Sequence, residues 1–301
     1  MKRILFLMVL CCCMLGVSTA EGAVSHAKHY TNGLGGMKGG SMPGPGFYWR
    51  QYHVFYNADK QKTNSGKKAR GDFDGSIYGF VNRAIYITET KLLGADWIVD
   101  AIIPVTNTDL ELKVNGNKVV DSDKFGLGDI MLEPMLLAWH GKQWDALFGV
   151  SAYLPTGEFN KNRAANPGKG FSTFMATFGG TLFFDEEKKW HASAVGRYEV
   201  HTKQEQTRVT HGNDFHIDWG LGRNFGGLFD LGLAGYTNWQ VTKDSGPNSS
   251  DNRVNSYAVG PEIAFMIPSW KLAVSLRSLW EFGNRNAPEG NITALTFTKA
   301  F

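Results

Sequence analysis

Between residues 144 and 154 the chain alternates with a period of two. Trp144, Ala146, Phe148, Val150, Ala152 and Leu154 fall on one face, with Asp145, Gly149, Ser151 and Tyr153 on the other. The same phase recurs in 190–201, where Trp190, Ala192, Ala194, Gly196, Tyr198 and Val200 oppose His191, Ser193, Arg197, Glu199 and His201. In 215–221, Phe215, Ile217, Trp219 and Leu221 oppose His216, Asp218 and Gly220. In 270–281, Trp270, Leu272, Val274, Leu276 and Trp280 oppose Lys271, Ser275, Arg277 and Glu281. Such alternation predicts β-strands with one apolar face. Strand-like runs are expected at 47–58, 77–90, 94–105, 125–139, 143–154, 171–184, 189–201, 212–223, 226–242, 253–266, 269–281 and 290–301. The first two fit less cleanly, because Arg50 and Asn82 fall on the face expected to be apolar.

The connections between runs alternate long and short. Long ones are 59–76, 106–124, 155–170, 202–211, 243–252 and 282–289, rich in Lys, Asn, Asp, Ser and Gly. Short ones are 91–93, 140–142, 185–188, 224–225 and 267–268. A soluble sandwich has no reason to alternate loop length in this way, whereas an outer-membrane barrel has short periplasmic turns and long outer loops. The expected fold is therefore all-β: a transmembrane antiparallel β-barrel of about twelve strands over 47–301. Aromatic girdles are expected from Trp97, Trp139, Trp144, Trp190, Trp239, Trp270 and Trp280 near strand ends.

The N-terminus sets the compartment. Lys2 and Arg3 precede an apolar run from Ile4 to Gly16, followed by the small residues Ser18 and Ala20. This pattern predicts a secretory signal over 1–20, cleaved after Ala20 or alternatively after Ala23. Cys11, Cys12 and Cys13 all lie inside it. The chain after the signal then has no thiol, hence no disulfide framework and no Cys-ligated metal. Lipidation at these cysteines is disfavoured because Leu7–Leu10 lacks the small residue expected ahead of a lipidated Cys. Residues 24–46 are rich in Gly and Pro and lack periodicity. They are either a lead-in tucked into the barrel mouth, as a plug, or a flexible linker.

Net charge is only +3 and no basic block is present, so nucleic acid is not an expected partner. The mean hydropathy of −0.24 suits a barrel in which lipid-facing and lumen-facing residues alternate. A charge on the lipid face near the midplane costs up to about 2–4 kcal/mol, so the polar faces are expected to point inward. The lumen-lining candidates are then Asp96, Asp100, Asp129, Glu133, Asp145, Arg197, Glu199, His216, Asp218, Asp230, Glu262, Lys271, Arg277 and Glu281, with Glu89 and Arg83 beside them. A mixed-sign lining either forms a salt-bridged filling or tunes a polar path. No catalytic group, cofactor or metal is expected. His216 and Asp218 could share a proton, but no nucleophile motif accompanies them and no histidine cluster has metal-ligand spacing. The Gly-x-Gly pieces lack the following helix that a nucleotide loop requires.

The stretch from Asn32 through Gly33, Leu34, Gly35, Gly36 and on to Pro43-Gly44-Pro45-Gly46-Phe47-Tyr48 resembles the leader of an outer-membrane protein family named for the meta-pathway of phenol degradation. Gly126-Leu127-Gly128-Asp129 with Pro134, then Leu154-Pro155-Thr156-Gly157-Glu158-Phe159, then Gln240-Val241-Thr242 with Asp244, extend the resemblance over about 30–301. The resemblance implies a channel or transporter for small, aromatic or hydrophobic compounds. The competing readings are a surface-interaction or structural barrel and an outer-membrane hydrolase. Outer-membrane lipid and lipopolysaccharide are expected partners, the latter at Lys60, Lys62, Lys67, Lys68 and Arg70 unless these merely solvate a loop. The terminal Phe301, with Phe297 and Leu295 on the same face, resembles the signal read by the barrel-assembly machinery; Lys299 departs from it.

Overall fold

The computed structural model describes residues 28–247 and 249–301. The signal sequence, both cleavage positions and the three cysteines lie outside the described residues. Thirteen strands follow in order: β1 (Gly46–Gln61), β2 (Asp72–Leu92), β3 (Ala95–Val114), β4 (Asn117–Leu127), β5 (Ile130–His140), β6 (Trp144–Leu154), β7 (Thr173–Phe183), β8 (Trp190–His201), β9 (Asp214–Phe225), β10 (Phe229–Gln240), β11 (Asn255–Ile267), β12 (Leu272–Arg285) and β13 (Pro288–Ala300). A single 3₁₀ turn, Pro268–Trp270, separates β11 from β12.

Every pairing is antiparallel, and β1 pairs with β13 from Tyr48↔Ala300 to Gln61↔Pro288, which closes the sheet. Closure leaves no row of unpaired N–H and C=O groups to face lipid. The outer part of β3 pairs with β4 and the inner part with β5. Strands β4 and β5 thus act as one stave, interrupted at Gly128-Asp129, and the barrel has twelve staves. The interruption follows from Pro104 on β3, which has no N–H to donate. Its carbonyl instead accepts the Gly128 N–H at 2.8 Å.

The alternation sets the faces as expected. Trp144, Phe148, Val150, Phe174, Phe178, Leu221 and Trp280 are exposed on the outside, while Asp145, Ser151, His191, Glu199, His216 and Asp218 are buried inside. Two expectations on the first strands resolve differently. Phe47, Trp49 and Phe55 take the outer face of β1, which turns Arg50 inward beside Tyr52. Asn82 does face outward, where its side-chain carbonyl accepts a hydrogen bond from Gln51 across the strand pair. A polar group in lipid needs such a partner.

Several connections read as loops are strand. Strands β3 and β4 run to a two-residue turn at Asn115-Gly116, so 106–124 is a hairpin rising above the membrane. β12 and β13 likewise turn at Asn286-Ala287 instead of looping over 282–289. Polar residues do not end a ladder once it has left the lipid, because water satisfies their side chains. The described residues before β1 run through the barrel, where Met37 is only 2% exposed. Leu34 packs on an inward cluster of Tyr52, Val54, Tyr236, Leu279 and Ile292, and Met42 on another containing Ile85, Ile98, Leu136 and Val195. The inner wall therefore carries apolar patches as well as charges. Burying one Leu or Met against them contributes roughly 1.5–3 kcal/mol.

Candidate functional site

The lumen is organised around residues 28–45. This stretch has no regular ladder of its own, so its backbone N–H groups need acceptors from the wall. Three buried carboxylates supply them. Glu199 on β8 accepts from His29 N at 2.8 Å and Tyr30 N at 3.0 Å. Asp218 on β9 accepts from Gly33 N at 2.8 Å, Gly35 N at 3.0 Å and the Tyr30 hydroxyl at 2.7 Å. Glu262 on β11 accepts from Met37 N at 2.8 Å.

Two buried arginines offset two of these three carboxylates. Arg197 lies 3.4 Å from Asp218 and stacks over the Tyr30 ring with its guanidinium 3.9 Å from the ring centre. Arg277 pairs with Glu262 at 3.3 Å and donates to the Gly33 carbonyl at 2.9 Å. Hydrogen bonds between a backbone and a charged group are worth about 1.5–3 kcal/mol each. The glycines permit the close approach. A Cβ on Gly220 of β9 would stand 2.5 Å from the Met37 Cα, so the wall has to be bare where the segment passes.

The remaining candidates form separate groups. Asp100 and Glu133 share Arg83, at 2.5 and 3.2 Å. Asp96 and Asp145 meet at His140, at 3.4 and 3.0 Å, and Asp96 also takes Lys91. Asp230 holds His191 at 3.1 Å and Lys38 of the segment at 2.8 Å. Glu281 accepts from Tyr56 at 3.0 Å, from Tyr236 and from Gly290 N at 2.8 Å. Lys271 departs from the expectation. It ends the 3₁₀ turn in the left-handed region (φ 46°) and is exposed, because β12 begins one residue later. Glu89 is also exposed, at the end of β2.

Asp129 joins three elements. Its carboxylate accepts from Gly157 N at 2.9 Å, Lys169 N at 2.7 Å and the His29 ring at 2.9 Å. Thr156 donates to the Gly128 carbonyl at 3.2 Å and accepts from Ile130 N at 2.9 Å. The Gly-x-Gly-Asp and Pro-Thr-Gly motifs, separate in sequence, thus form one junction of stave break, outer loop and inner segment. The third motif ties the next loops: Gln240 donates to Asp244 at 2.7 Å, and Asp244 also accepts from Gly212 N at 2.8 Å. His216 and Asp218 do not pair. His216 contacts Glu199 at 3.1 Å, while Asp218 is taken up by the segment and Arg197. The sequence reading missed His29, Tyr30, Thr173 and Phe171. His29 and Tyr30 lie on no periodic run, with only the Gly-Pro stretch beside them as a pointer, whereas Phe171 and Thr173 fall on the predicted run 171–184, where Thr173, Thr177 and Thr181 opposite Phe174, Phe178 and Leu182 carry the inward phase.

A sequence model of the family described as "Putative MetA-pathway of phenol degradation" matches residues 58–297. The chain belongs to this family. The solved structures it resembles include the COG4313 outer membrane channel from Pseudomonas putida F1, at 14% identity and a TM-score of 0.77, covering 87% of this chain and 97% of that one. Also similar are the β domain of the Bordetella autotransporter BrkA (12% identity, TM-score 0.48, 85% and 100% covered) and a Pseudomonas aeruginosa FadL homologue (9%, 0.43, 93% and 100%). No curated protein sequence matches the chain. Closed antiparallel topology, outward apolar face and family place this family member in the bacterial outer membrane.

Proposed function

We propose that this barrel is a gated outer-membrane channel for small aromatic or hydrophobic compounds, held shut by residues 28–45. The observation that carries this reading is the seating of that segment on Glu199, Asp218 and Glu262. Its backbone bonds to these acids come from an irregular stretch and can be exchanged for water without breaking the barrel's own ladders. The family description names phenol degradation, and one protein of similar fold is an outer membrane channel. The first supports an aromatic cargo and the second a conducting role. Glu199, Asp218, Glu262, Arg197 and Arg277 are engaged in holding the segment, which favours a gating role for them over catalysis.

The test is uptake of phenol and of a sugar of similar size into proteoliposomes. Faster entry of phenol than into protein-free liposomes, with the sugar excluded, supports the proposal; equal entry with and without protein contradicts it. We further read β13 as the strand presented to the assembly machinery. Phe301 supports this by closing on β1, with its N–H donating to the Phe47 carbonyl at 3.1 Å and the two rings 5.5 Å apart. For lipopolysaccharide, Lys62 is already paired with Glu289 at 3.2 Å, which leaves the outer lysines of the 62–71 loop as the groups to test.

A further inference from the structure

Two imidazoles converge between the inner segment and the wall. His29 Nε2 lies 2.9 Å from Asp129, and His201 Nε2 lies 3.2 Å from Asp214. A carboxylate can only accept, so each Nε2 carries a proton, and in the neutral ring each Nδ1 then carries a lone pair. Both Nδ1 atoms stand 2.7 Å from one and the same atom, Thr173 Oγ1. That hydroxyl has a single proton and can donate to one ring only. The second lone pair is left facing oxygen, in a site where the His29 side chain is 3% exposed and the His201 side chain fully buried.

Glu199 completes the cluster. One ligand atom each from His29, Glu199 and His201 lie within 4.8 Å of one another. Phe171 packs edge-on against both rings, at 5.1 and 5.4 Å. Three carboxylates, Asp129, Glu199 and Asp214, act on Lys169 here, and Lys28 is the other ammonium near Glu199 and Asp214. With both rings neutral the pocket has more acid than base.

An imidazole whose outer N–H is held by a carboxylate, with its other nitrogen aimed at a shared point, has the outer-shell arrangement of a metal-bound histidine. We propose that His29, Glu199 and His201 form a binding site for a transition-metal cation of the zinc type. Two imidazoles and a carboxylate suit Zn²⁺ or Co²⁺ over Mg²⁺ or Ca²⁺. The ion takes both lone pairs that the Thr173 hydroxyl cannot satisfy together. Ligand bonds of about 2.0–2.2 Å require the three groups to draw together from their present spacing. Because His29 lies on the inner segment and the other two ligands on β8, the ion ties one to the other. By linkage it stabilises the seated segment, since it binds that arrangement and not the released one. Binding of the ion does not depend on what the barrel conducts.

The spacing His29, Glu199, His201 has no short-range metal signature, which is why the sequence shows none. The test is Co²⁺ titration of the full-length protein in detergent, followed by its visible ligand-field absorption and by equilibrium dialysis. One Co²⁺ per barrel is expected, displaced by Zn²⁺. Affinity should fall at least tenfold in His201→Ala and in His29→Ala, and stay unchanged in His191→Ala, whose ring pairs with Asp230 elsewhere. His29 is outside the barrel strands, so its variant tests the site even where the β8 variant fails to fold. Absence of bound Co²⁺, or equal binding by His29→Ala, overturns the proposal and leaves a protonated ring as the occupant.

Discussion

Gly40 of the inner segment rests directly on the backbone of Gly180 in β7: a methyl group on Gly40 would stand 2.2 Å from the Gly180 carbonyl carbon. Neither backbone can move without shifting the segment or bending the wall. A side chain at Gly40 should therefore unseat this part of the segment, at an overpacking cost of about 1–3 kcal/mol. The expected outcome for Gly40→Val is more frequent opening in planar bilayers. Gly44→Ala is the control, since a Cβ there meets nothing within 4 Å. Equal gating of the two variants would count against a seated segment.

Asp218 should be the strongest single anchor. It gathers two segment N–H groups, the Tyr30 hydroxyl and Arg197. Asp218→Ala leaves a buried guanidinium without its acid, so a loss of about 3–5 kcal/mol in urea unfolding is expected. Asp218→Asn keeps one acceptor and should lose less. Protease cleavage within 28–45 should rise in both, in the same order. A neutral Asp218→Ala would show that the wall does not hold the segment.

Much of the barrel was legible because lipid enforces the alternation. On β6, β8 and β9 every second residue is apolar, and Asp145, Glu199 and Asp218 could be assigned to the lumen from phase alone. The phase failed where an end residue left the ladder, as at Lys271, or where both faces carry polar groups, as at Gln51 and Asn82 on the outside of β1 and β2. Strand ends above the membrane were illegible too, because Asn, Asp and Lys in 106–124 look the same in a loop and in a solvated hairpin. The site itself was half visible. Wall acids follow a period, whereas the segment that meets them is aperiodic, and its seating depends on glycines opposite glycines.

Asp129 should couple the outer loop to the inner segment. Asp129→Ala removes the acceptor for Gly157 N, Lys169 N and the His29 ring together. Amide exchange in 155–170 and at Tyr30 is expected to speed up in concert, while the β9–β10 ladder stays protected. Faster exchange in the loop alone would separate the two.

The turn between β7 and β8 should carry an acid-sensitive term. The N–H groups of Trp190 and then Lys189, each 2.8 Å from the carboxylate, hold Asp185 below the usual aspartate range. A lowered folded value means stability that is full above the unfolded value of about 3.9 and lost as pH falls through the folded one. The stability difference between the natural chain and Asp185→Asn should thus be present near neutral pH and vanish in strong acid. A difference that is constant with pH would rule out this cap.

The central claim is that residues 28–45 close the lumen. The most direct measurement is single-channel conductance of the full-length barrel against a variant lacking 28–45, both shown to be folded by their heat-modifiable migration on gels. The account predicts rare, small openings for the full-length barrel and long-lived, larger steps for the deletion. Indistinguishable conductance in the two would contradict it.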